Sequence, residues 1–236
     1  VMRDLQNSCT ELNVSVIGGH TEVTPGLSHP ILSGAMLGEA GKDQLIKNGN
    51  ITPGDRLYLT KAVAIEATSI IARDKKSEVI NKFGSQFYRR CLNFLENPGI
   101  SVVRDAIRAR SEAGITGMHD PTEGGVLAGA YEMAVGSGLG LRIFLDKIPV
   151  FQETRKLCEY FKISPYQCIA SGSLLISAPP GEVHNLERAF SGRADGMPYL
   201  SCIGEFTRRG EPTVVEDAAG TREIHPTGRD DITRIL

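Results

Sequence analysis

Two short segments hold the residue types that phosphate chemistry needs. The first is Gly18-Gly-His-Thr-Glu22 and the second is Met118-His-Asp-Pro-Thr-Glu-Gly-Gly125. In the first, the Glu22 carboxylate can hold Mg²⁺, which takes one or two protein carboxylates and leaves its other positions to phosphate oxygens and water. The Thr21 hydroxyl and nearby N–H groups can bond a phosphate directly. Gly18 and Gly19 remove side-chain bulk just before these polar groups, so a ligand can come close. In the second segment, Asp120 stands where a strand meets a helix. Pro121 suits the first helical turn, and Gly124-Gly125 opens the helix start. Free N–H groups there suit an anion, and Asp120 can hold its metal. Read alone, each segment is equally an ordinary strand end or a helix cap.

The elements that must carry these segments follow from the apolar pattern. Val1, Leu5, Cys9 and Leu12 share one face of a helix over residues 2–12, which feeds a buried strand at 13–19. Alternation along that strand puts His20 and Glu22 on one side and Thr21 on the other. Residues 24–30 are a loop, and 31–40 read as a second strand. Thr52-Pro-Gly-Asp55 is a turn signal, and a domain boundary is placed there, between 1–50 and 51–236. Beyond it, strands are expected at 56–60, 115–118, 141–145, 173–178, 200–206, 213–216 and 222–224. Helices are expected at 62–73, 76–95, 101–113, 122–135, 150–161 and 182–190, the fourth with Asp120 or Thr122 near its N-cap. Strands mixed with helices imply an α+β (mixed α/β) layer architecture.

Composition narrows the class. The chain has 236 residues, 41% of them apolar and 23% charged, with a formal charge of −2. That balance predicts no electrostatic grip on nucleic acid or anionic membrane. No apolar run reaches the roughly 20 residues of a membrane span. Five cysteines form no C-x-x-C pair, so a reduced, cytoplasmic setting is expected rather than a disulfide framework or a zinc site. Phosphate-loop, dinucleotide and nucleophile-elbow motifs are absent. The start, Val1-Met2 running directly into a helical pattern, leads us to expect further sequence upstream.

Other side chains have plain readings beside functional ones. Lys61 lies between a strand and a helix, solvated or reaching a phosphate. Glu66 fits a salt bridge. His29, His184 and His225 fit the surface, Cys168 fits a small core position, and Asp230-Asp231 fits a solvated turn.

With both segments in view, the chain resembles the superfamily of aminoimidazole ribonucleotide (AIR) synthase (PurM), selenophosphate synthetase, thiamine monophosphate kinase and the hydrogenase maturation protein HypE. Gly18-Gly-His-Thr21 is similar to their G-G-[HDE]-[ST] segment. Asp120-Pro-Thr-Glu-Gly-Gly125 resembles the D-P-T-x-G-G segment of HypE, and Pro53-Gly-Asp55 the P-G-D that begins the C-terminal domain. Ser171-Gly-Ser-Leu-Leu-Ile176 and Ile203-Gly-Glu205 fall in matching places. The resemblance implies a PurM-like two-domain architecture: part of an N-terminal domain (1–50) that pairs into a homodimer, then a C-terminal domain (51–236). It implies ATP and Mg²⁺ and the activation of a substrate oxygen by phosphoryl transfer, with a small-molecule or protein-borne acceptor. By position, Gly18, Gly19, His20, Thr21, Thr122, Gly124 and Gly125 would line the nucleotide, Glu22 and Asp120 would hold the metal, and Asp120 and His20 would act in catalysis. A scaffold that binds a nucleotide without turnover, and a metal-dependent hydrolase using His20, Glu22, His119 and Asp120, are the other readings. The family's glycine-rich segment and paired aspartates precede the G-G motif and are not in this stretch. The chain ends Asp231-Ile-Thr-Arg-Ile-Leu236 rather than in the cysteine of HypE, which points away from nitrile synthesis by the HypE route.

Overall fold

The computed structural model describes residues 1–194, 196–225 and 229–236. The chain divides at Gly41/Lys42 into two units.

In the first unit, α1 (Met2–Glu11) forms where the apolar spacing predicts it. Leu5 and Cys9 are its half-buried positions and line a shallow groove with Val14 and Val16. The expected strands at 13–19 and 31–40 do not form: residues 14–41 contain no strand, and Ile17, Val23, Ile31 and Leu32 are exposed. The physical reason is pairing. A strand satisfies its N–H and C=O groups only against a neighbour, and within this unit no second strand stands beside either segment.

The second unit is built on one seven-stranded sheet. Its strands are β1 (Arg56–Thr60), β2 (Gly117–His119), β3 (Leu141–Phe144), β4 (Leu175–Ala178), β7 (Leu200–Phe206), β8 (Thr213–Asp217) and β9 (Gly220–Glu223), in the order β2-β4-β1-β7-β3-β8-β9. Only β3 and β8 run parallel; the other neighbours are antiparallel. Two short strands absent from the sequence reading, β5 (Arg193–Ala194) and β6 (Met197–Pro198), form a separate hairpin.

Alternation divides the core between the sheet's two faces. Leu57, Leu59, Leu141, Ile143, Leu175 and Ile203 pack against α6 (Gly125–Ser137), mainly through Val126, Ala130 and Met133. Tyr58, Ile176 and Ala178 face the other way, toward α5 (Val103–Glu112) and α8 (Val183–Ala189). A third cluster joins α2 (Ile65–Asp74), α3 (Lys76–Phe83), α4 (Ser85–Leu92) and α7 (Gln152–Phe161). The expected single helix at 76–95 is broken at Gly84, whose φ of +87° is a backbone state that glycine takes without strain.

The Pro53-Gly-Asp55 segment has a structural task. Buried Asp55 accepts hydrogen bonds from Thr52 N–H (3.1 Å), Thr52 Oγ1 (2.9 Å) and Thr116 Oγ1 (2.6 Å). It ties the entry of β1 to the residue just before β2, and β2 delivers Asp120.

Candidate functional site

β2 is an edge strand that ends at His119, and Asp120 is the first residue beyond it. The helix expected from 122 starts later, at Gly125, with Gly124 as its N-cap. Gly124 (φ +78°) and Gly125 (φ +71°) are both left-handed, so the chain turns twice before it can coil. Pro121 is therefore not the first helical residue. It lies buried against α6, and a Cβ on Gly129 would meet the Pro121 Cβ at 2.7 Å.

Contacts from three directions hold this turn. A Cβ on Gly125 would lie 2.5 Å from Tyr166 O and 2.7 Å from Cys168 O, so loop 166–168 presses on it backbone to backbone. Thr122 O accepts from Gly125 N–H (3.0 Å) and Ala170 N–H (3.3 Å), and Leu127 N–H donates to Tyr166 O. From the far end of the sequence, buried Asp230 accepts from Gly124 N–H at 3.0 Å and from Ile232 N–H at 2.9 Å.

That geometry corrects the expectation of free N–H groups awaiting an anion. Gly124 N–H is given to Asp230 and Gly125 N–H to Thr122. The Glu123 carboxyl is held below its ordinary range, chiefly by its own backbone N–H and then by the Thr122 hydroxyl. Two carboxylates of the chain thus sit at the positive end of α6, where helix N-termini favour negative charge. What the turn presents outward is Asp120. Its side chain is 68% exposed, and His119 stands beside it, with Nδ1 3.8 Å from Oδ1.

In the first unit, His20 Nε2 and Glu22 Oε2 stand 3.7 Å apart although no strand forms there, and both side chains are open. Nothing stands within 4 Å of a Cβ placed on Gly18 or Gly19, so these glycines leave open space. Thr21 is exposed.

The remaining candidates separate clearly. Lys61 is 2% exposed, not solvated. Its Nζ donates to the carbonyls of Gly172 (2.7 Å), Ser101 (2.9 Å) and Gly99 (3.3 Å) and pairs with Asp105 at 3.3 Å. Burial lowers its pKa, against the pull of Asp105. Asp105 also accepts from Tyr199 Oη and Thr60 Oγ1. Cys168 is buried, and its thiol is raised far above the usual range by a hydrogen bond with Cys158 and by burial, which suits an inert core position. His29, His184 and His225 are exposed. Asp230, expected in a solvated turn, is instead a clamp. Asp230 caps the short turn Asp231–Arg234 by accepting from Ile232 N–H; its bond to Gly124, 106 positions away, was not legible in the sequence. Among the described residues, no three His, Cys, Asp or Glu side chains converge as a metal site.

The sequence profile described as "AIR synthase related protein, C-terminal domain" matches residues 52–217. The chain belongs to that family. It is similar to a putative hydrogenase expression/formation protein of Methanocaldococcus jannaschii, 22% identical over 237 residues that span all of this chain and 67% of the relative. It is similar also to the selenide, water dikinase of Bordetella bronchiseptica, 32% identical over 149 residues, covering 63% of this chain and 40% of that one. Among solved structures, the hydrogenase maturation protein HypE in complex with ATP superposes with a TM-score of 0.60 at 17% identity, covering 84% of this chain and 57% of that one. That likeness is one of fold: the mixed α+β, AIR synthase-like architecture is the one the sequence resemblance implied. The chain thus spans between two fifths and two thirds of the length of these proteins. No helix among the described residues is long and apolar enough to cross a membrane.

Proposed function

We propose that this chain belongs to an ATP-dependent enzyme that activates a substrate oxygen by phosphoryl transfer, with Mg²⁺ carried on the nucleotide. The observation that carries the reading is the Asp120 turn. It offers an open carboxylate at the end of a strand, on a support fixed by backbone contacts from residues far apart in sequence. Phosphoryl transfer asks little covalent chemistry of a protein; it needs positioning and charge neutralisation by fixed groups. The relatives support it: one is a dikinase, and a neighbour of the same fold was solved with ATP.

The residues fit a Mg²⁺ ion. The cation takes few protein ligands beside phosphates, and Asp120 supplies one hard, solvent-facing oxygen donor. Bound there, Mg²⁺ neutralises phosphate charge. Asp120 would be its ligand, and Thr122 would lie beside the nucleotide. Gly124 and Gly125 contribute by shaping the turn rather than by N–H donation. For the first unit, taken by itself, we propose Gly18, Gly19, His20 and Thr21 for nucleotide contact and Glu22 for a metal, on the strength of the open glycines and of the approach of His20 to Glu22. The acceptor is a small molecule or a protein-borne group.

Calorimetry of the full-length protein with MgATP tests the reading. Asp120→Asn should weaken binding by about tenfold or more, the equivalent of losing one charge-assisted contact. Its melting temperature should be unchanged, because the side chain is exposed. A folded protein that binds no nucleotide refutes the proposal.

A further inference from the structure

His119 sits one residue before Asp120, and its ring is fixed from the far side. Met118 packs into the cluster of α5 and α8, so alternation turns His119 toward the α6 face. There Glu132, on α6, approaches its Nε2 to 2.6 Å. A carboxylate only accepts, so Nε2 carries the proton of that bond. In the neutral ring this leaves the Nδ1 lone pair open, and Nδ1 lies 3.8 Å from Asp120 Oδ1. That is too long for a hydrogen bond. It is, however, the spacing of two ligands on one ion: donors about 2.1 Å from a common cation stand about 3.0–4.2 Å apart.

We propose that His119 Nδ1 and Asp120 Oδ1 form a two-donor site for a divalent cation of the Mn²⁺, Co²⁺ or Zn²⁺ class, with Glu132 as the carboxylate that orients the imidazole. The proposal rests on the nucleotide reading above in one respect: the remaining coordination positions go to phosphate oxygens and water. Metal-bound histidines ordinarily give their other ring N–H to a carboxylate or carbonyl, which fixes the tautomer and the ring plane, and Glu132 does this here. An imidazole nitrogen beside a carboxylate favours these ions over Mg²⁺, which prefers oxygen alone. The ring is 25% exposed, whereas Asp120 is 68% and Glu132 62% exposed, so the imidazole is seated while its two carboxylate neighbours reach solvent. An ordinary surface ion pair between His119 and Glu132 would have no bearing on any metal.

The test uses the full-length protein with MnATP and MgATP, read by calorimetry and by electron spin echo spectroscopy of bound Mn²⁺. The wild type should bind MnATP about tenfold or more tighter than MgATP and show nitrogen modulation from a coordinated imidazole. His119→Gln should remove that modulation and the preference while keeping MgATP affinity. Glu132→Gln should reduce the preference only where His119 is present, and add nothing in the double variant. If both nucleotides bind but the modulation or the preference survives His119→Gln, the metal site is overturned and the nucleotide reading stands. If neither nucleotide binds, the nucleotide reading falls and Mn²⁺ alone decides. A nitrogen signal that His119→Gln removes then upholds the site, and no such signal overturns it.

Discussion

Replacing Gly125 by alanine should be among the costliest single-methyl additions in the second unit. Two effects add. A left-handed residue with a Cβ costs about 1–2 kcal/mol, and the native φ here is +71°. The new methyl would also lie 2.5 Å from Tyr166 O, 2.7 Å from Cys168 O and 3.0 Å from Gln167 C. All three are backbone atoms, which cannot swing aside as a side-chain tip does, and overpacking of this kind costs about 1–3 kcal/mol. The expected destabilisation is therefore about 2–5 kcal/mol, a large share of the 5–15 kcal/mol that holds an ordinary domain. Urea unfolding followed by circular dichroism measures it. Gly181→Ala is the control: no atom stands within 4 Å of its Cβ position and its φ is not positive, so it should stay within about 0.5 kcal/mol of wild type. A Gly125→Ala protein less than about 1 kcal/mol weaker than the control would refute the claim that loop 166–168 clamps the turn.

Two further predictions follow from the interior. Lys61→Met should cost about 3–5 kcal/mol, because it leaves the Asp105 charge buried without its cation; Lys61→Met with Asp105→Leu should recover part of the loss, and unfolding curves of both proteins compare them. Stability should also fall in alkali: burial raises the Cys91 thiol from 9.0 to about 12, and Cys168, Tyr58 and Tyr199 are raised as well. Between pH 9 and 12 the unfolded chain releases these protons while the native state keeps them, so each such group lowers stability by at most about 1.4 kcal/mol per pH unit. Lys61, with its lowered pKa, acts in the opposite direction but is one group against several. Urea midpoints at pH 8 and pH 10 measure the balance, and no fall at pH 10 would contradict it.

Much of the second unit was legible in the sequence. β1 and β7 run over the residues that alternation and turn signals marked, and α5, α7 and α8 lie within a few residues of expectation. The reason is that these elements bury one face against one core, so the apolar period records the outcome. The first unit shows the limit of the same signal. Apolar runs at 13–19 and 31–40 state a preference for burial and for pairing, but a strand exists only where a neighbour supplies the ladder.

The types and order of the site residues were likewise fixed locally: Asp120 ahead of paired glycines, His20 and Glu22 two apart. Tertiary structure alone decided which groups remain available. Whether the α6 N-terminus stays open depends on Asp230, which arrives from 106 residues away and takes Gly124 N–H. Whether Lys61 meets solvent depends on three carbonyls and a carboxylate brought from other loops and from α5. Whether His119 faces Asp120 with a fixed ring depends on Glu132, one helix away. Hydrogen bonds and ion pairs act at about 3 Å, and sequence spacing carries no information on which distant groups come within that range.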